Sequence, residues 1–597
     1  MSIMRLTAAL ILATLPAMVA AQGQVETTTP TARFYQPDDG GPHRPPAETA
    51  ATGAAVVTSA DPLASAAGQA LLDAGGNAAD AALATMIALT VAEPQSSGLG
   101  GGGFLVWYDA KTGRSFTIDG REKAPAAATA IRFLKPDGTP MSFMQAVPGG
   151  YSVGVPGAVA LIAQAHRRWG SRPWAELFAP AIRLAREGIL VSPRLNRFTE
   201  SRKAMLQANP AAARIFLDPN GEPWRVGHIL RQPELADALE TIATGGPDAF
   251  YKGPVGEAVT RAVATAFHNP AALTAQDLAD YRAADRPSLC RPYRQWRICT
   301  MGPPSSGGIA VLQILLQLER FDLKKLGADN LLSQHLFAES QRLAYADREA
   351  FGADADFAPV PVEGLLSPAY IRARSALIRL DRSMADAAPG TPAGVPARVA
   401  QRLADVPATS HLAVADATGN VATLTSTIEG PFGSGLVASG ILLNNQLTDF
   451  DFAPVRADGA PAFNAVQPGK RPRSSMAPVI VTTADGRPIA AFGAAGGATI
   501  IAQVAKALIA HLDWGLSVED ALAAPQIIAD RSGLRYEAGT RLEAQAAGLM
   551  ALGHKNVRAA SLPLKANGLA RVGKGWRGAA DPRSEGQAIA TGGPAQP

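Results

Sequence analysis

Apolar positions recur with a helical period over most of the first two thirds of the chain and with a period of two beyond it. Asp61 followed by Pro62 is a helix start, a capping acceptor with Pro at the first helical position. The helix predicted from there runs to Ala74 and stops at Gly75–Gly76. A second begins at Asn77 and continues to about Ala92, before Pro94; both are rich in Ala, which suits close helix packing. Residues 104–109 and 115–119 alternate as a hairpin around Lys111–Arg114. From about 155 to 280 the pattern is mostly helical, and 306–322 and 332–351 predict two more helices. Residues 383–405, rich in Ala, Pro, Gly and Asp with weak periodicity, read as a mobile connector. After it, 411–415 and 421–427 flank a turn at Asp416–Asn420, and 478–483 and 488–492 flank Asp485–Gly486, a strong hairpin signal. A helix at 498–512 follows a Gly-rich loop. Hairpins and helices in both parts predict an α+β fold, with stacked sheets between helical layers in a four-layer arrangement.

Composition narrows the class. Of 597 residues, 47% are hydrophobic and 18% charged, which excludes a mostly disordered or coiled-coil protein. A net charge of +4 without any run of five or six basic residues gives nucleic-acid binding little support. Arg5, an apolar run from Leu6 to Val19 and then Ala20–Ala21–Gln22 have the layout of a secretory signal, 1–21, too short to span a bilayer comfortably. Residues 22–52, rich in Pro, Thr, Gly and Gln, read as a disordered linker, with order beginning near Val56. The expected mature protein is periplasmic or secreted and has no membrane anchor. Cys290 and Cys299 flank a strand-like run; a disulfide and two free thiols both remain open.

Several motifs carry no chemistry. Gly98–Gly103 satisfies G-x-G-x-x-G formally, but a helix precedes it and a strand follows, the reverse of a dinucleotide site. Its glycines read instead as room for close backbone approach beneath a site. There is no Walker A, H-E-x-x-H or C-x-x-C pattern, so no metal and no cofactor is implied. Ser305–Ser306 lacks nucleophile-elbow spacing and reads as a helix cap. Ala408–Thr409–Ser410–His411 is different, because it stands where the connector meets a strand. Thr gains nucleophilic power if the chain is cut before it: its own α-amine, with an ordinary pKa of about 7.7–8.0, then lies beside Oγ as general base. On that motif alone, an ordinary strand Thr is the simpler reading.

The surrounding order of motifs changes the balance. TSH at 409–411, TSTIEGPFGSG at 425–435, SGILLNNQLTDF at 439–450, KRPRSSMAP at 470–478 and GAAGG at 493–497 follow one another. Upstream stand GNAADAALA at 76–84, GLGGGGFL at 98–105, DGREKAP at 119–125, GVPGAV at 154–159 and PPSSGGI at 303–309, and DPRSEG at 581–586 comes near the end. Over about residues 55–590 this set resembles the gamma-glutamyltransferase (glutathione hydrolase) family of N-terminal-nucleophile hydrolases.

That resemblance implies a four-layer αββα sandwich formed jointly by two autoprocessed subunits, a large one (53–408 after the linker) and a small catalytic one (409–597). The cut falls between Ala408 and Thr409. Thr409 is then the nucleophile that takes a glutamyl group from glutathione or related γ-glutamyl amides and passes it to water or to an amino acid or peptide. Thr427 is expected to bond the Thr409 amine, and Gly496 and Gly497 to form the oxyanion hole. Arg121, Ser474 and Ser475 are expected at the substrate α-carboxylate, and Gln446 and Asp449 at its α-ammonium. The chain departs from the family pattern in two places. Glu429 stands where many members have Asn, and the stretch from about Pro454 to Phe463 is short and lacks a lid Tyr, which points to hydrolysis over transfer. A glutaryl-type β-lactam side-chain acylase on the same fold is the alternative activity, and an inert, unprocessed binding protein the non-enzymatic one. His411 is expected to be structural.

Overall fold

The structure, a computed structural model, describes residues 46–395, 398, 408–456 and 459–591. The signal-peptide reading (1–21), the linker up to 45 and most of the connector's last third lie outside the described residues.

Two seven-stranded antiparallel sheets form the centre. Their strands, in chain order, are β1 (Ala50–Gly53), β2 (Ala55–Ser59), β3 (Gly102–Asp109), β4 (Arg114–Gly120), β5 (Ala284–Arg286), β6 (Leu289–Tyr293) and β7 (Trp296–Thr300) before residue 408. After it come β8 (Ser410–Ala415), β9 (Val421–Thr427), β10 (Val479–Thr483), β11 (Pro488–Ala495), β12 (Lys565–Val572), β13 (Gly575–Ala580) and β14 (Gln587–Thr591). The first sheet runs β14-β2-β8-β9-β3-β4-β5 and the second β1-β13-β12-β11-β10-β7-β6. In the first sheet the β8–β9 hairpin is thus inserted between β2 and β3, so neither side of residue 408 has a complete sheet of its own.

The inner faces of the sheets meet through small and β-branched residues, among them Val56, Ala413, Ile480 and Ala491, with Trp576. Helices cover the outer faces. Asp61 caps α1 (Pro62–Asp73) by accepting from the N–H groups of Leu63 and Ala64, and Asn77 caps α2 (Ala78–Ala92) with a capping box through Asp80. Every residue of α2 is buried, which its lack of a polar face requires, and it packs on β8 and β9. Further helices are α3 (Pro193–Gln207), α4 (Gly307–Leu318), α5 (Leu331–Phe351) and α6 (Thr499–Leu512). The α4–α6 pair lies over the second sheet, α6 against β11.

Three sequence readings are adjusted. Ala50–Gly53 pairs with Trp576–Ala579, so order begins before Val56 and the linker does not extend to 52; a strand partner supplied from the far end of the chain is invisible locally. The first part of the chain, although mostly helical, contributes half of the fourteen strands of the two sheets. Ser305 does cap, accepting from the Gly307 N–H at 3.2 Å, but Ser306 Oγ instead donates to the Ser474 carbonyl at 2.7 Å. The open question of the cysteines is settled by register: Cys290 and Cys299 face each other across the β6–β7 hairpin and form a disulfide.

Candidate active site

Thr409 immediately precedes β8, and the pairing of Ser410 with Ser426 brings it level with Thr427 at the end of β9. The Thr409 hydroxyl donates to Thr427 Oγ1 at 3.1 Å. The Glu429 N–H donates to the same oxygen at 2.8 Å. Thr427 Oγ1 thus accepts twice, and its own proton remains to be directed elsewhere. The chain reaches this packing because Gly101 lies beneath it: a Cβ on Gly101 would stand 2.0 Å from the Thr427 carbonyl oxygen. That is the work done by the glycine run.

Ten of the eleven residues expected at the site border one cleft of about 290 Å³ of empty space: Ala408, Thr409, Thr427, Arg121, Glu429, Gln446, Asp449, Ser474, Ser475 and Gly497. Gly496 is the exception. It sits behind the rim at φ +125°, and its carbonyl accepts from the Thr499 hydroxyl at 2.8 Å at the entry to α6. Gly497, at φ +60°, makes the following turn, so both glycines occupy backbone conformations that a side chain would strain.

Arg121 is held rigidly. Its guanidinium donates to the carbonyls of Pro472 at 3.2 Å and Arg473 at 2.7 Å, and it pairs with the Asp449 carboxylate across the cleft. The residues expected to meet a substrate carboxylate and a substrate ammonium therefore meet each other here. Asp449 also accepts from Gln446 Nε2 at 2.7 Å, while the buried Gln446 Oε1 has no hydrogen-bond partner among the described residues. An unpaired buried acceptor costs free energy that a bound N–H donor recovers. Ser475 Oγ accepts from the Arg348 guanidinium of α5 at 2.5 Å, which leaves the Ser475 hydroxyl free to donate. Ser474 Oγ accepts from the Met476 N–H at 3.1 Å.

Glu429 occupies the left-handed region at φ +79°, where a non-glycine residue is strained. Its carboxylate accepts from Asn445 Nδ2, and the buried Arg202 of α3 adds electrostatic attraction. Its charge is therefore partly met from behind. Glu122, next to Arg121, is fully buried with neither oxygen hydrogen-bonded among the described residues, and desolvation, against the pull of Arg121, pushes its carboxyl up to about 8. His411 lies between the sheets, bonded to Thr425 Oγ1 at 2.8 Å and Thr423 Oγ1 at 3.2 Å, and burial lowers it to about 3. It turns away from Thr409, toward Gly493.

A group beneath Thr409 escaped the sequence reading. The Lys565 ammonium, at the start of β12, donates to the Thr409 carbonyl at 2.9 Å and to both Glu93 oxygens at 2.7 and 2.6 Å. Ser410 Oγ donates to Glu93 at 2.5 Å. The available signals were a lysine among strand-period apolar residues and a glutamate directly after a buried, Ala-rich helix, each unremarkable alone.

Comparison with known proteins finds matches over most of the chain. The profile of the Gamma-glutamyltranspeptidase family matches residues 64–591. The Glutathione hydrolase proenzyme of Bacillus subtilis (strain 168) is 39% identical over 510 residues, covering 84% of this chain and 85% of that protein. The Acylase ACY 1 proenzyme of Pseudomonas sp. (strain SE83) is 36% identical over 548 residues, 90% of this chain and 94% of that one. Among solved structures, the cephalosporin acylase from Bacillus halodurans superposes with a TM-score of 0.79 at 27% identity, covering 91% of this chain and 97% of its own.

Proposed function

The chain belongs to the gamma-glutamyltranspeptidase family, and from that premise we propose how its residues carry out γ-glutamyl hydrolysis and transfer. The enzyme is a gamma-glutamyl hydrolase/transferase; the observation that carries the residue assignment is the Thr409–Thr427 hydroxyl bond at the floor of a cleft that also holds Arg121, Gln446 and Asp449.

Processing comes first. Thr409 Oγ1 attacks the Ala408 carbonyl carbon, the C–N bond to Thr409 breaks as an ester to Oγ1 forms, and the Thr409 nitrogen takes up the hydroxyl proton. Water then opens the ester, leaving a carboxylate on Ala408 and a free α-amine on Thr409. The two resulting subunits, about 22–408 and 409–597, remain joined because strands from both complete each sheet. We read the two facing sheets and their outer helices as a four-layer αββα sandwich.

In the mature enzyme the Thr409 α-amine takes the Oγ1 proton as Oγ1 attacks the γ-carbonyl of the donor. Gly496 and Gly497 stabilise the tetrahedral oxyanion with backbone N–H groups at the N-terminal end of α6. The resulting ammonium protonates the leaving amine, and an acyl-enzyme remains. Water, activated by the same amine, releases glutamate; an acceptor amine in its place gives transfer. Substrate displaces the Arg121–Asp449 pair: the α-carboxylate takes Arg121 with Ser474 and Ser475, and the α-ammonium takes Asp449 and the unpaired Gln446 oxygen. Asn445 and Arg202 partly neutralise Glu429, so that it supports the ammonium without dominating it. The short Pro454–Phe463 segment leaves the cleft open to water and favours hydrolysis. The protein acts after export, and no helix among the described residues is long and apolar enough to cross a membrane.

Acylase relatives give the second reading its footing. A glutaryl donor carries no ammonium for Gln446 and Asp449, so kcat/KM for a γ-glutamyl anilide should exceed that for the glutaryl anilide. The reverse order would assign the site to side-chain deacylation.

A further inference from the structure

The reaction needs the Thr409 α-amine unprotonated, yet an ordinary α-amine is largely an ammonium below pH 7. On the cleft side the charges oppose one another: Glu429 and Asp449 favour a cation, while the Arg121 guanidinium, paired with Asp449, disfavours one. The opposite side is different. Lys565 is nearly inaccessible, 2% exposed, as is Glu93 at 1%. Its ammonium donates to the Thr409 carbonyl at 2.9 Å, to Glu93 and, at 3.4 Å, to Ser96 Oγ. That carbonyl oxygen is three bonds from the nitrogen freed by processing.

We propose that Lys565, clamped by Glu93, is a positioning residue for the nucleophile: it fixes the Thr409 carbonyl and, as a like charge beside the new N-terminus, keeps the α-amine in its base form. The role rests on Thr409 being that N-terminus. A cation held at this range disfavours a second one, and burial weakens solvent screening. Glu93 opposes the effect from farther away, because Lys565 and not Glu93 touches the Thr409 carbonyl. Other charges around the pair are Arg194, 3.8 Å from Glu93; Glu585, which accepts from the Arg194 N–H; and Asp61 at the start of α1, raised to about 7 by burial and by Glu93. His411 contributes none, being neutral. Glu93 also receives the Ser410 hydroxyl, and Ser97 Oγ bonds Ser410 Oγ at 3.0 Å, so the segment that follows α2 and the start of β12 hold both Thr409 and Ser410.

The test is the pH profile of kcat/KM of the processed enzyme with a γ-glutamyl anilide. Lys565→Met should move the acid limb up by about one pH unit, so that the rate on that limb falls about tenfold further than the plateau at higher pH, where only the loss of the bond to the Thr409 carbonyl is felt. Glu93→Gln should move the limb the other way, the cation being unopposed. Lys565→Arg should keep the wild-type limb. The double variant Lys565→Met/Glu93→Gln buries no lone charge; it covers the case in which Lys565→Met fails to fold, and its limb should shift up by less than that of Lys565→Met. Intact mass is measured alongside. A wild-type chain that stays uncut refutes the nucleophile assignment and this role with it. Cut, active Glu93→Gln and double variants whose limbs superimpose on the wild type, even where their plateau rates fall, refute the charge role of Lys565 alone.

Discussion

Thr427→Val removes one oxygen at nearly constant shape, and that oxygen serves two buried donors. The Thr409 hydroxyl loses its acceptor at 3.1 Å and the Glu429 N–H loses its acceptor at 2.8 Å. Thr427 is 2% exposed and Thr409 4%, so water does not easily replace either bond. Leaving a buried donor unpaired costs about 1–3 kcal/mol. If the loss at Thr409 falls on the reactive geometry, each 1.36 kcal/mol is about a factor of ten in rate, so processing and turnover should each slow by roughly ten- to a hundredfold. The loss at Glu429 falls on stability, because its N–H holds a left-handed residue in place. KM should change less than kcat, since Thr427 is not among the groups assigned to the substrate's carboxylate or ammonium. Thr427→Ser restores the oxygen and should recover most of the rate. The assays are the appearance of the small subunit over time by mass spectrometry and steady-state hydrolysis of a γ-glutamyl anilide. A Thr427→Val protein that processes and turns over within twofold of wild type would refute the claim that this hydroxyl orients Thr409.

Two other substitutions probe the walls of the cleft. Arg121→Met should raise KM for γ-glutamyl donors by far more than it lowers kcat, because it removes the cation proposed for the carboxylate and leaves Asp449 facing the substrate alone; an unchanged KM contradicts that assignment. Glu122→Gln concerns stability: a buried carboxyl raised from 4.5 to about 8 favours its protonated form in the fold. Its contribution is full below about 4.5 and is lost as pH rises through about 8. Thermal midpoints of Glu122→Gln should therefore fall less than those of wild type across this window, and parallel curves would exclude the effect.

Much of the site was legible because its residues lie in short runs whose order is itself informative: TSH, TSTIEG, NNQLTD and RSSMAP each deliver a side chain to one cleft. Helix starts at Asp61 and Asn77 were legible because capping is local chemistry. What sequence could not supply were the partners brought by tertiary register. Ala50–Gly53 looked like linker because its strand partner lies more than five hundred residues away. The Arg121–Asp449 pair was missed because the two were assigned to opposite ends of an absent substrate. Lys565 and Glu93 carried no motif; only the approach of β12 to the end of α2 makes them a pair. Glu429 was read as an added charge near the ammonium, and the structure supplies what the local sequence lacked, the Asn445 amide and Arg202 behind it.

The central claim is that Thr409 becomes an N-terminal nucleophile by cutting its own chain. Intact-mass spectrometry of the purified protein beside Thr409→Ala tests it most directly. The account predicts two fragments for wild type, the smaller starting at Thr409, and one uncut, inactive chain for the variant. A wild-type chain that remains whole, or a Thr409→Ala chain cut at the same bond, would contradict it.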